Sequence, residues 1–333
     1  MKILYGIQGT GNGHVSRARE IIPELKRHAD VDIVLSGTHS EVNVGHDIKF
    51  RFHGLGFVFG KKGNVSIPET IQNFKIRNFI QEIRSLPVDE YDLIIQDVEP
   101  VTAWACRLQK IPCVEMSHQI SLSSPKTPKI KGFHWGKFIL NHYTPHSYKM
   151  GFHFQKYDDF IHTPVIRSEI RNLKPVFGEE YLVYLPAFGD IEIQKFLSPF
   201  TEERFRVFSK HSTQSYDNKN IKFEKIDNHK FISALANCKG LITGAGFESP
   251  AEAIFLNKKL MCVPMSNQYE QLCNAKALEE LGIQVVWSRN NISQALTQFL
   301  ASDERIHLEF PDETAFLVDN LVQKFRNNQL FTF

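Results

Sequence analysis

The chain has 333 residues, more than one ordinary hydrophobic core supports, and at roughly 150 residues per domain it predicts two domains. Apolar residues make up 42% and charged residues 23%, which excludes a disordered or fibrous chain. With 39 Lys and Arg against 37 Asp and Glu, the formal net charge is +2, so no global field recommends a nucleic acid as partner.

The opening run KILYGI is apolar and β-branched enough for a buried strand, and VSRAREIIPELKRH carries apolar residues at helical spacing. Between them GIQGTGNGHVSRA, residues 6–18, puts Gly9, Gly11 and Gly13 at a strand-to-helix junction. Glycine permits positive φ and close approach of a ligand, and a helix start offers unpaired N–H groups. Gly11 and Gly13 therefore suit an anion, while Arg17, one turn after His14, is open to contacting a phosphate, holding Asp97 or Glu99, or lying on the helix surface. Taken alone, the turn departs from the dinucleotide fingerprint, because His14 stands where the last glycine is expected, and an exposed cap neighbour is an equal reading of that histidine.

VDIVLSG, DLIIQD and CVEMS read as further strands, and IPETIQNFKIRNFIQEIRSL, residues 67–86, as the longest helix of this half. Such alternation predicts a parallel sheet covered by helices. Strand ends are the places to inspect in such a sheet: residues 36–39, Asp97 with Glu99, and Ser117 to Gln119. Asp97 and Glu99 are open to three readings: acceptor binding or support of a base, a cation site, or helix capping. Residues 125–154 mix lysines with Phe, Trp and Tyr, which suits either an anionic membrane surface or an ordinary loop and helix packed on the sheet. The histidines of this region make no metal set, since Pro145 interrupts the pair His142 and His146 and no cysteine adjoins them.

Isolated prolines between Thr163 and Gly178 mark a linker, placed at 166–178 between domains 1–165 and 179–333. Beyond it EYLVYLPAFG, RFRVFSK, IKFEKI, GLITGAG and KLMCVPM continue the alternation. An amphipathic helix from about Pro311 to Asn327 closes the chain and is expected to return to the first domain. A second glycine turn, Gly244 and Gly246, precedes a helix expected from Ser249 or Pro250, where proline suits a first helical position. Glu252 in this helix suits the two hydroxyls of a ribose, or is simply an acid favoured by the helix dipole. Five cysteines without a CxxC pair read as reduced, buried thiols. No stretch has the character of a leader or a membrane span, so a cytoplasmic protein is expected, with peripheral contact to the inner membrane face as the membrane reading of 125–154.

With both motifs in place, the chain resembles the two-domain GT-B glycosyltransferases, in particular the MurG-like group that uses UDP-sugars. Gly9, Gly11, Gly13 and His14 match its N-terminal turn, and Gly244, Gly246, Glu252, Pro264, Glu270, Gln271, Asn274 and Ala275 match its C-terminal series. A Glu270-Gln271 pair replaces the Gln-Gln of MurG, and GHVSRA differs after the histidine.

The resemblance implies an α/β fold of two doubly wound Rossmann-like domains facing across a cleft. It implies inverting transfer of N-acetylglucosamine or a related hexose from UDP to a hydroxyl acceptor, lipid-linked or part of a cell-envelope glycan. His14 would be the base, with Asp97 and Glu99 beside it. Gly11, Gly13, Arg17, Gly244, Gly246, Phe247, Glu248, Glu252, Glu270, Gln271 and Asn274 would bind the donor. His118 and Gln119 would stand on the acceptor side, within loops at 60–67 and 117–131. No cofactor and no metal are called for. Three other readings stay open: a UDP-sugar hydrolase of the PseG type, with His14 activating water; a UDP-sugar epimerase on a similar fold, for which the sequence shows no further acid/base set; and a binding protein without catalysis.

Overall fold

The computed structural model describes residues 1–37, 43–55, 76–132 and 134–331. The first sheet holds β1 (Lys2–Gln8), β2 (Asp30–Ser36), β3 (Phe50–Phe52), β4 (Leu93–Asp97), β5 (Val114–Ser117), β6 (Tyr148–Phe152) and β7 (Ile161–His162). Its order is 3-2-1-4-5-6-7, parallel throughout. The second sheet holds β8 (Glu180–Tyr184), β9 (Arg204–Ser209), β10 (Tyr216–Asn218), β11 (Ile221–Lys225), β12 (Gly240–Thr243), β13 (Lys259–Cys262) and β14 (Gln284–Val285). Its order is 10-11-9-8-12-13-14, with an antiparallel β10–β11 edge and parallel pairs elsewhere. Apart from the added edge strands, both sheets wind 3-2-1-4-5-6, so two Rossmann-like domains are the fold observed.

Strand residues alternate between two covered faces. Ile3, Tyr5 and Ile7 of β1 join one apolar cluster, while Leu4 joins the other with Val34 and Ile94. Burial on both faces is what made these runs almost continuously apolar. The shorter strands β3, β7, β10 and β14 lie toward or at the sheet edges and span two or three residues each, too few for a period to show. Residues 125–154 hold the helix Trp135–Tyr143 and strand β6, the latter interrupted in pattern by Lys149 and Gly151. Of the long helix expected at 67–86, Ile76–Ser85 is helical; residues 67–75, the loop 60–67 and residues 38–39 fall outside the described residues.

Two helix starts differ from expectation. The helix Asn12–Lys26 begins inside the first glycine motif and carries Pro23 within it. The second begins at Glu248, earlier than Ser249 or Pro250, so Pro250 occupies its third position, where the missing N–H is still one of the unpaired four. The last helix, Thr314–Arg326, lies against Asn12–Lys26, fixed by His28 Nε2 to Asp319 Oδ1 at 2.6 Å and by Arg326 donating to the His28 carbonyl at 3.3 Å. In the second domain the buried Lys258 ammonium donates to the carbonyls of Val176, Ala236 and Cys238 at 2.7–3.0 Å. It thereby closes the end of helix Asn228–Asn237 and ties the preceding segment to it.

Candidate active site

The two switch points, between β1 and β4 and between β8 and β12, put both glycine turns at carboxyl ends of strands. On the first domain, Gly11 has φ +100° and precedes a helix that has no capping side chain and no acid in its first turn. His14, in that turn, lies at 2.8 Å through Nδ1 from Asp97 Oδ1. With Nδ1–H donating to the carboxylate, Nε2 is the nitrogen left basic. Arg17 clamps the same carboxylate, Nε to Oδ2 at 2.8 Å and Nη2 to Oδ1 at 2.9 Å. Burial pushes the His14 pKa down, but the Asp97 charge and hydrogen bond outweigh it and leave it raised. Burial likewise pushes Asp97 up, and Arg17 and His14 hold it below the usual carboxylate range.

Val98 separates the two carboxylates of IIQDVEP and sits at φ +53°, an uncommon and strained conformation for a β-branched residue. On one side of that kink Asp97 reaches the His14 helix. On the other, Glu99 turns inward and caps helix Pro100–Gln109, accepting from the N–H groups of Val101 at 2.8 Å and Thr102 at 2.7 Å. Of the readings open to Glu99, capping is where the structure places it, fully buried. Burial prevails over these bonds and raises its pKa.

On the second domain, Gly244 and Gly246 lack a positive φ; a Cβ at Gly246 would meet nothing within 4 Å, and one at Gly244 would make only ordinary contact with Gln271 Oε1 at 3.5 Å and the Val263 carbonyl at 3.9 Å, so neither is a position of backbone strain. Glu252 is nearly buried and paired with Arg167, Nε to Oε1 at 2.6 Å and Nη2 to Oε2 at 3.0 Å. Burial pulls this guanidinium down and this carboxylate up; their attraction prevails for Arg167, while for Glu252, with Glu248 and Glu169 also near, burial prevails. Arg167 lies in the connecting segment, and sequence reading missed it because a lone arginine there has no periodic or motif signal. Asp190, the first residue of helix Asp190–Leu197 after β8, has no role assigned from the sequence either; it accepts from the hydroxyls of Ser209, Ser212 and Tyr216, which keep its pKa low against burial.

Across the cleft the two domains touch through the candidate residues themselves. Arg17 Nη1 donates to Glu248 Oε1 at 2.9 Å, and Gln119 Nε2 to Glu270 Oε2 at 3.0 Å. His118 Nε2 is 2.8 Å from Asn274 Oδ1, and Phe247 stacks on the His118 ring at 3.8 Å between centroids. Asn274 is fully buried and also donates to the Ala245 carbonyl, so both its ends are spent inside the seam. Gln271 accepts from the Met265 N–H at 3.1 Å. Gln119 Oε1, by contrast, is buried in this seam without a hydrogen-bond partner.

An α/β enzyme of GT-B architecture is the class that this pair of sheets and facing turns defines. Its overall shape is similar to that of MurG from Acinetobacter baumannii, at TM-score 0.60 with 16% identity, over 97% of this chain and 100% of that one. The calicheamicin glycosyltransferase CalG4 superposes at TM-score 0.56 with 14% identity, over 98% of each chain. A UDP-N-acetylglucosamine 2-epimerase does so at 0.56 with 12% identity, over 98% of this chain and 97% of its own. Curated proteins give no match. Residues 1–302 match the model of glycosyl transferase family 1, and the chain belongs to that family: it is a glycosyltransferase.

Proposed function

We propose that the enzyme moves a hexosyl group, N-acetylglucosamine or a close relative, from UDP to a hydroxyl acceptor with inversion, using His14 as the base. The observation that carries this reading is the imidazole held by a buried, arginine-clamped carboxylate at the strand end facing the second glycine turn. His14 Nε2 takes the acceptor proton while the acceptor oxygen attacks the anomeric carbon opposite the diphosphate. The bond from that carbon to the diphosphate breaks, and UDP leaves with the electron pair. Main-chain N–H groups at Gly11, Gly13, Gly244 and Gly246, together with Arg17, receive the developing charge, so the scheme calls for no divalent cation. Glu252 holds the ribose hydroxyls with the lone pairs that its pairing with Arg167 leaves over, and Glu270 and Gln271 complete the donor side.

Calorimetry with UDP and turnover of UDP-N-acetylglucosamine test the assignment. His14→Ala is expected to keep UDP affinity and lose about 10²–10⁴ in turnover. Unchanged turnover removes His14 from the role, and fast release of free sugar without acceptor converts the reading to a hydrolase.

The acceptor in this reading is lipid-linked and met at a membrane surface. Among the described residues no helix is long and apolar enough to cross a membrane. Support comes from Trp135, Phe138, Trp104 and Leu108, exposed on two helices joined by the Trp104 Nε1 bond to the Tyr143 carbonyl at 3.0 Å, with Lys131, Lys137 and Arg107 exposed among them. Co-sedimentation with anionic but not neutral vesicles, weakened by Trp135→Ser with Phe138→Ser, is the expected outcome. Equal recovery with both vesicle types would remove the membrane from the reading.

A further inference from the structure

The helix Asn12–Lys26 starts without a capping side chain or an acid of its own, yet a carboxylate from the other domain lies on it. A Cβ built on Gly13 would fall 2.5–2.7 Å from Oε1, Oε2 and Cδ of Glu248. The same carboxylate takes Arg17 Nη1 at 2.9 Å. Glu248 is the first residue of its own helix, next to the second glycine turn, so both helix starts converge on one negative group. Both starts are where the donor diphosphate is placed in the reading above.

We propose that Glu248 is an internal stand-in for the donor diphosphate: it occupies Arg17 and the first turn over Gly13 in the ligand-free enzyme and must swing out for the donor to bind. The proposal rests on that donor reading. Like charges cannot share one guanidinium edge and one helix start, so carboxylate and diphosphate exclude each other there. The geometry also says which acid yields. Asp97 and Arg17 side chains are 0% and 2% exposed, whereas Glu248 is 31% exposed and has water to turn into. Nε and Nη2 of Arg17 stay fixed on Asp97, so only its Nη1 edge changes partner and His14 keeps its orientation during the exchange. Glu248 thus acts as a positioning residue that sets donor affinity and joins the two domains when no donor is bound.

The test compares wild type with Glu248→Gln and Glu248→Ala, using UDP and inorganic pyrophosphate in calorimetry and UDP-N-acetylglucosamine in steady-state kinetics. Both variants are expected to bind UDP and pyrophosphate about tenfold more tightly, with KM falling and kcat not rising, while the ligand-free melting temperature falls. UDP binding to wild type with equal or weaker affinity in both variants overturns the proposal and leaves the donor reading standing. Pyrophosphate tightened by the variants, with no UDP bound by any form, keeps the proposal and removes the uridine donor. Failure of every form to bind either anion overturns both.

Discussion

In its proposed role as base, His14 carries opposite demands in stability and in activity. Its pKa is raised above the ordinary 6.5, so its pairing with Asp97 stabilises the fold fully below about pH 6.5 and fades as pH rises through the folded value. A base must be neutral, so turnover should rise with pH through that same raised value. In a pH profile of kcat/KM the acid limb should therefore lie above 6.5, and Asp97→Asn should move it downward while cutting kcat. That variant also leaves the buried Arg17 with Glu248 as its remaining carboxylate, at a cost of about 3–5 kcal/mol in denaturant unfolding. Glu99 behaves differently. Glu99→Ala should cost about 1–2 kcal/mol of stability through two lost cap bonds, with kcat per folded molecule within about twofold of wild type. A fall in kcat as deep as that of Asp97→Asn would give Glu99 a chemical role after all.

At the level of elements, the periods and turn residues specified the central strands and the helices Asn12–Lys26, Ile76–Ser85, Glu248–Phe255 and Thr314–Arg326, because each such run carries its own pattern, whereas helices such as Pro100–Gln109 and Tyr269–Glu280 went unnamed. Element ends were less legible. Helix Glu248–Phe255 starts before its proline because Phe247 already has helical dihedrals, fixed by stacking on His118 from the other domain. Lys258 is a further case of a residue whose work no local pattern announces. Lys258→Met keeps the volume but strands the Ala236 and Cys238 carbonyls at the end of helix Asn228–Asn237 and the Val176 carbonyl of the segment tied to it, and we expect a loss of about 2–3 kcal/mol, read as a lower urea midpoint. An unchanged midpoint would mean that water replaces the ammonium there at no cost.

On the scale of the whole molecule, a helix from the far end of the sequence supports the helix that carries His14. Thr314–Arg326 lies on Asn12–Lys26, with Leu317, Val318, Leu321 and Val322 buried. Removing residues 314–333 should raise amide hydrogen exchange along 12–26 more than along any strand of the second sheet, and should lower kcat by loosening His14. Faster exchange confined to the second domain would contradict this coupling. The sequence by itself determined the fold class and the two glycine turns, since hydrophobic period and glycine spacing act over a few residues and need no distant partner. Tertiary structure alone decided which polar groups meet: His14 with Asp97 is a pairing 83 residues apart, Arg167 with Glu252 one of 85, His118 with Asn274 one of 156, and Arg17 with Glu248 one of 231. In a sequence any carboxylate could partner any guanidinium or imidazole, and sheet order, the kink at Val98 and the approach of the two domains select one partner for each.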